Sequence, residues 1–332
     1  MAKGNFVRPA SRAGIKDPRS STFVARLDDI ERQSHRPKPI KAETAMLRAE
    51  DLEIMGDLPA QEPLGSEAPA PMTVASRMIA VFTPKGGTGG TTVAVNMGGA
   101  LAHLGKSVVV VDMDLQLGAV PVALNIRPER SIAEIMRSAE TSGRGPLQTG
   151  LDRHASGLCV LAQGERIEEL PEITSERLPR LFDALGQTFP YVIVDGLRDF
   201  SDHAVATMDL AHLVMMVVTQ DVPAVRAAAR CLRIFRRLGY GPDRIRLIVN
   251  RYHKRAPVTL EAIQNALGQP VEAVIHNDFP LIEQSLNLGA LVSEVKPGAR
   301  TARDLEAITW HYAGIKDPPV SGSFFSRLFR SK

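Results

Sequence analysis

Pro84-Lys85-Gly86-Gly87-Thr88-Gly89-Gly90-Thr91-Thr92 decides how the rest of the chain is read. An apolar run, Met78-Ile79-Ala80-Val81-Phe82, precedes it and reads as a strand. Val93 to Ala102 follows it, with the apolar spacing of a helix. Strand, glycine-rich loop and helix together are the setting of a phosphate loop. Glycines let backbone N–H groups converge on phosphate oxygens, and the helix N-terminus adds its dipole. A hydroxyl at Thr91 suits a Mg²⁺ shell. In the usual G-x-x-x-x-G-K-[ST] pattern a lysine precedes that hydroxyl and reaches the β/γ-phosphates. Gly90 stands there instead, and the loop's lysine is Lys85, at its start. The sequence keeps the cradle and lacks its usual cation.

Outward from the loop, residues 79 to about 308 alternate strand and helix patterns. Apolar strands are expected at 79–83, 108–111, 158–161, 191–194, 213–218, 245–249 and 271–275. Near-continuous apolar strands alternating with helices predict an α/β fold: a P-loop domain with a mainly parallel, doubly wound sheet and helices on both faces. Ligands of such sheets bind at the C-terminal ends of the strands. Three candidate groups fall there. Asp112 and Asp114 end the second strand, and two carboxylates so spaced suit a site holding Mg²⁺ and a water beside a terminal phosphate. Asp195 ends the Tyr191-Val192-Ile193-Val194 strand, the place of a metal-binding Walker B carboxylate. Asn250, followed by Arg251, ends another strand with an amide that can read an adenine edge. Each has a plain structural reading as a strand-end cap or turn residue; the phosphate loop upstream favours the chemical one.

The 332 residues are 44% hydrophobic and 23% charged, enough for a full core. A net charge of +3 is too small to argue nucleic-acid binding by itself. Two cysteines, Cys159 and Cys231, both in apolar contexts, suggest neither a disulfide framework nor a metal cluster, so a reducing, cytoplasmic setting is expected. Residues 1–20 are polar and basic, unlike a secretory signal, and no apolar run reaches the roughly 20 residues that span a bilayer. Three parts are expected: a polar N-terminal tail over 1–75, the P-loop domain over 76–310, and a C-terminal tail over 311–332. The first is basic through Lys41 and acidic afterwards. The last ends with Phe324, Phe325, Leu328 and Phe329 interleaved with Arg327, Arg330 and Lys332, the composition of a short membrane-surface segment or of a frayed tail. Between them, residues 225–238 pattern as a helix whose outer face carries Arg226, Arg230, Arg233, Arg236 and Arg237.

The loop with its early lysine, the Asp112-Met113-Asp114-Leu115-Gln116 run and the Asn250-Arg251 ending resemble the deviant-Walker ATPases of the MinD/ParA group. Val111 to Gly118, Tyr191 to Asp195, Val249-Asn250-Arg251-Tyr252, Leu267-Gly268-Gln269-Pro270-Val271, and Ala290 to Val295 with Lys296-Pro297 are most similar to its CpaE/TadZ branch, which organises Tad (Flp) pilus assembly. Members of that branch often lack the second loop lysine.

The resemblance implies ATP and Mg²⁺ as cofactors and a homodimer as the binding unit. Lys85 would reach phosphates held by the partner protomer. Gly86, Gly87, Thr88, Gly89 and Gly90 would wrap the phosphates, and Thr92 would contact the first of them. Thr91, Asp112 and Asp195 would lie at the metal, Asp114 at the attacking water, and Asn250 with Arg251 at the adenine. Asn277-Asp278 falls where relatives carry a Pro-x-Asp adenine contact, with His276 in the proline's place. Partners would be pilus or secretion proteins at the inner membrane face or cell pole, with peripheral membrane contact through 324–332. Gly90 argues for weak or absent hydrolysis, since charge stabilisation is most of phosphoryl-transfer catalysis. Two other readings stay open: a ParA-like partition ATPase binding DNA nonspecifically through the arginine face, and a scaffold with a relic loop.

Overall fold

The computed structural model describes residues 76–142 and 150–315. The expected N-terminal tail and the aromatic–basic C-terminal segment lie outside them. Eight strands form one sheet: β1 (Arg77–Phe82), β2 (Val108–Asp112), β3 (Asp152–Arg153), β4 (Cys159–Leu161), β5 (Tyr191–Leu197), β6 (Leu213–Thr219), β7 (Ile245–Tyr252) and β8 (Val271–His276). Their order is β3-β4-β2-β5-β1-β6-β7-β8. All neighbours are parallel except β3 and β4. The two-residue β3 is a polar Asp-Arg pair with no apolar run to announce it, which is why the sequence pattern misses it. The apolar patterns mark the other strands, but β5, β6 and β7 run further, to Leu197, Thr219 and Tyr252. Ladder hydrogen bonds carry them past their continuous apolar runs, through the polar groups of the site.

The α-helices are α1 (Gly90–His103), α2 (Val120–Ala123), α3 (Ile132–Ser142), α4 (Leu178–Thr188), α5 (Asp202–Leu210), α6 (Val222–Arg237), α7 (Leu260–Leu267), α8 (Phe279–Leu288), α9 (Val292–Val295) and α10 (Arg300–Ala313). Residues of β1 alternate between two cores, as the period-2 geometry of a strand requires. Met78, Ala80 and Phe82 join α3 to α7 on one face, while Ile79 and Val81 join α1, α2 and α8 to α10 on the other. Among the described residues no helix is long and apolar enough to cross a membrane.

This order places β1 centrally. From it the chain turns one way to β2 and, later, the other way to β6, so the β1–α1 loop stands at the switch point where such sheets form a crevice. β5 lies between β1 and β2 and sets Asp195 directly beside Asp112 in register. Both carboxylates therefore arrive at the loop by strand pairing alone.

Candidate functional site

Gly89 takes φ 90° and ends the loop, and α1 starts at Gly90 with no side-chain cap and no acidic residue in its first turn. An uncapped helix start leaves N–H donors facing outward, where the dipole favours an anion. Gly87 also lies in the left-handed region, at φ 78°, and a Cβ at either Gly86 or Gly87 would meet nothing within 4 Å, so the loop's outer wall is open. The inner wall is closed. A Cβ at Gly90 would lie 2.5 Å from the Thr83 methyl, and one at Gly89 would lie 2.3 Å from Nδ2 of Asn250. Position 90 therefore has no room for a lysine stem unless Thr83 moves.

Thr91 Oγ1 donates to Asp195 Oδ2 at 2.6 Å, with Asp195 2% exposed. Burial pushes the Asp195 carboxyl up to about 7; the Thr91 hydroxyl opposes this and neighbouring Asp112 adds to it. Asp112 is also raised by burial, against the pull of three backbone amides. Those amides belong to Asp114 at 2.9 Å, Ala119 at 2.7 Å and Val120 at 2.9 Å. Both oxygens of Asp112 are thus committed to the turn leading into α2. A direct metal bond from Asp112 would have to break into that set, whereas Asp195 accepts from one side-chain hydroxyl and the Gly196 amide.

Asp114 forms an ion pair with Arg198, the carboxylate 15% and the guanidinium 46% exposed. On the other side of the loop Lys85 Nζ sits 3.3 Å from Asp221 of its own chain, both well exposed. Burial alone would raise Asp221, but the Thr219 hydroxyl, the Ala224 amide and Lys85 together hold it below the usual carboxylate range. Asn250 is 8% exposed and spends both polar groups inside the protein. Its Nδ2 donates to the Thr88 carbonyl at 2.7 Å and its Oδ1 accepts from Arg251 N at 2.8 Å. This differs from the expected free amide edge: Asn250 here braces the phosphate loop against β7. Asp278, likewise, caps α8 by accepting from Leu281 N. Thr92 and Arg251 border a groove beyond Gly89, walled by Ile275, Phe279, Ile282 and Leu305, of the apolar kind that takes a flat ring.

The sequence-expected residues converge on one end of the sheet. Two partners were missed: Asp221 and Thr83. Asp221 had a local signal, an Asp just before Val222-Pro223, which is a helix-start pattern. Thr83 meets Gly90 within the β1–α1 loop itself, whereas Arg198 meets Asp114 only through strand order.

The donor set fits Mg²⁺. Thr91 and Asp195 offer hard oxygen ligands, and the raised Asp195 carboxyl is one a cation would compensate. No group of three or more His, Cys, Asp or Glu among the described residues forms a self-sufficient metal cage. Mg²⁺ commonly needs only one or two protein ligands when phosphates supply the rest.

A doubly wound sheet with a glycine loop opening a helix at its switch point, facing strand-end carboxylates, defines a P-loop nucleotide-binding domain. More particularly, the chain belongs to the CobQ/CobB/MinD/ParA nucleotide binding domain family, whose model matches residues 79–308. The septum site-determining protein MinD of Thermotoga maritima is 26% identical over 255 residues, covering 74% of this chain and 91% of that protein. The crystal structure of a ParA family ATPase from Chlorobium tepidum superposes with a TM-score of 0.67 at 23% identity, over 71% of this chain and 99% of that one. MinD of Pyrococcus horikoshii, solved with Mg-ADP, superposes with a TM-score of 0.60 at 21% identity, over 71% and 95%.

Proposed function

We propose that this chain is a Mg·ATP-binding localisation factor of the CpaE/TadZ branch that serves Tad (Flp) pilus assembly or a related secretion machine. It acts as a nucleotide-dependent homodimer with slow or absent hydrolysis. One observation carries the reading: the Thr91–Asp195 pair stands beside an open glycine cradle at an uncapped helix start, while position 90 is closed to a lysine. Bound Mg·ATP would supply the triphosphate charge and the cation that the buried Asp195 lacks.

The chain's own residues divide the work. Amides of residues 86–92 hold phosphate oxygens, Thr91 and Asp195 hold the metal, and Asp112 fixes the turn that positions Asp114. Asn250 keeps the loop in shape, and the ring lies in the groove beyond Gly89. Lys85 leaves Asp221 for phosphates on the partner protomer, an exchange made easy because an exposed ion pair is worth only about 0–1 kcal/mol. Without a second loop lysine, charge on a departing phosphoryl group is under-compensated, so nucleotide acts mainly as a population switch between monomer and dimer. The dimer then presents partner surfaces, and two copies of residues 324–332, at the membrane face, with cell-pole placement following from the partner machine.

Titration with Mg·ATP tests this directly. Saturable binding by the full chain is expected, reduced at least about tenfold by Thr91→Ala, since loss of one charge-assisted contact is worth a factor of that order. No binding by the unaltered chain would sink the reading in favour of a scaffold. A second reading, nonspecific duplex DNA binding, is favoured by the exposure of Arg230, Arg236 and Arg237 on α6. It predicts ATP-dependent retention on DNA that falls steeply with salt.

A further inference from the structure

The phosphate loop lacks its usual cation, and the Thr83 methyl closes the space at position 90 from which one would extend. Two basic side chains flank the loop instead, each held by a carboxylate of the same chain: Lys85 on Asp221, and Arg198 on Asp114. The second pair lies on the carboxylate side. A Cβ at Gly196 would come within 2.2 Å of Asp114 N, so the two backbones touch there. Met113 N donates to the Asp195 carbonyl at 2.9 Å, and the Asp195 side chain holds Thr91. Thr91, Asp195, Asp114 and Arg198 thus form one row running from the loop across the ends of β5 and β2. Arg251, the remaining basic candidate, borders Gly89, Thr92 and Asn250 on the opposite, ring-binding side.

We propose that Arg198 is the residue that reads the terminal phosphate of a bound nucleoside triphosphate, and that it does so by leaving Asp114. The inference rests on the Mg·ATP reading above. The Arg198–Asp114 pair is open to water on the arginine side, and pairs of that kind are held weakly. A terminal phosphate offers more charge and more acceptor oxygens than one carboxylate, in a geometry that a guanidinium fork matches. Transfer of Arg198 to the phosphate supplies the charge that Gly90 cannot, and it releases the Asp114 carboxylate in the same movement. A diphosphate has no terminal group to compete, so the pair persists. The site then distinguishes ATP from ADP through a phosphate-contacting residue outside the loop, and Asp114 is restrained until ATP has arrived.

The test is the affinity of the full-length protein for Mg·ATP and Mg·ADP, measured by calorimetry on the unaltered chain and on Arg198→Ala, Arg198→Lys and Asp114→Asn. Arg198 is exposed, and matched thermal unfolding of the variants checks that they fold. Arg198→Ala is expected to weaken ATP roughly tenfold or more while leaving ADP within about twofold. Arg198→Lys should restore part of the preference, since lysine keeps the charge and loses the fork. Asp114→Asn, which removes the competitor, should tighten ATP and leave ADP unchanged. An unaltered ATP-to-ADP ratio in Arg198→Ala, or an equal loss for both nucleotides, overturns this inference and leaves the Mg·ATP reading intact. Failure of the unaltered chain to bind either nucleotide overturns both.

Discussion

Among the described residues Asp195 is buried with the Thr91 hydroxyl as its one side-chain partner, and in the absence of a cation its ionisation opposes folding. Its folded carboxyl is raised to about 7, against about 3.9 for an unperturbed Asp. A raised carboxyl gives stability that is whole below the unfolded value and is lost as pH climbs through the folded one. The nucleotide-free protein should therefore lose on the order of 2–4 kcal/mol between pH 4 and pH 8 from this group. Asp195→Asn is expected to raise the melting temperature at pH 8 much more than at pH 5. An equal gain at both values would contradict the assignment, and added Mg·ATP should reverse the advantage. Gly90 makes a second residue-scale prediction. Gly90→Lys drives its Cβ onto the Thr83 methyl and should cost ~1–3 kcal/mol as an overpacking change. Gly90→Lys with Thr83→Ala should recover most of it, giving a non-additive pair in chemical denaturation.

At the scale of elements, α6 begins at Asp221, whose side chain accepts from Ala224 N at 3.0 Å and also holds Lys85. Asp221→Ala should cost about 1 kcal/mol through loss of the cap. It should also free Lys85, so the nucleotide-bound dimer should become tighter while the monomer melts earlier; a weaker dimer would argue against Lys85 crossing the interface. The same element shows what was legible in the chain. Apolar periodicity places α6 and its arginine face because burial of one stripe is a local, repeating demand. The glycine loop marks the site because left-handed backbone at Gly87 and Gly89 leaves a compositional trace. Asp112 shows the limit. Its acidic type and strand-end position suggest a metal, yet its three hydrogen bonds go to amides two, seven and eight residues on, a turn geometry that no spacing rule records. Arg198 and Asp114 are 84 residues apart and meet only because β5 lies beside β2.

For the molecule as a whole, the proposed function makes nucleotide, dimer and location one linked system. A ligand that binds only the dimer stabilises it by mass action, and two membrane-facing tails on one particle bind more tightly than one. Removal of residues 324–332 is thus expected to abolish ATP-dependent flotation with anionic vesicles while leaving nucleotide affinity unchanged. Flotation that survives the truncation would exclude that segment as the anchor. Lys85→Ala should uncouple nucleotide from assembly while the fold stays intact, since among the described residues the Lys85 side chain makes one exposed ion pair. The measurement that bears most directly on the switch is the solution mass by light scattering, with and without Mg·ATP. The account predicts a monomer that doubles its mass on adding Mg·ATP, and a Lys85→Ala variant that does not. A mass indifferent to nucleotide in the unaltered protein would contradict it.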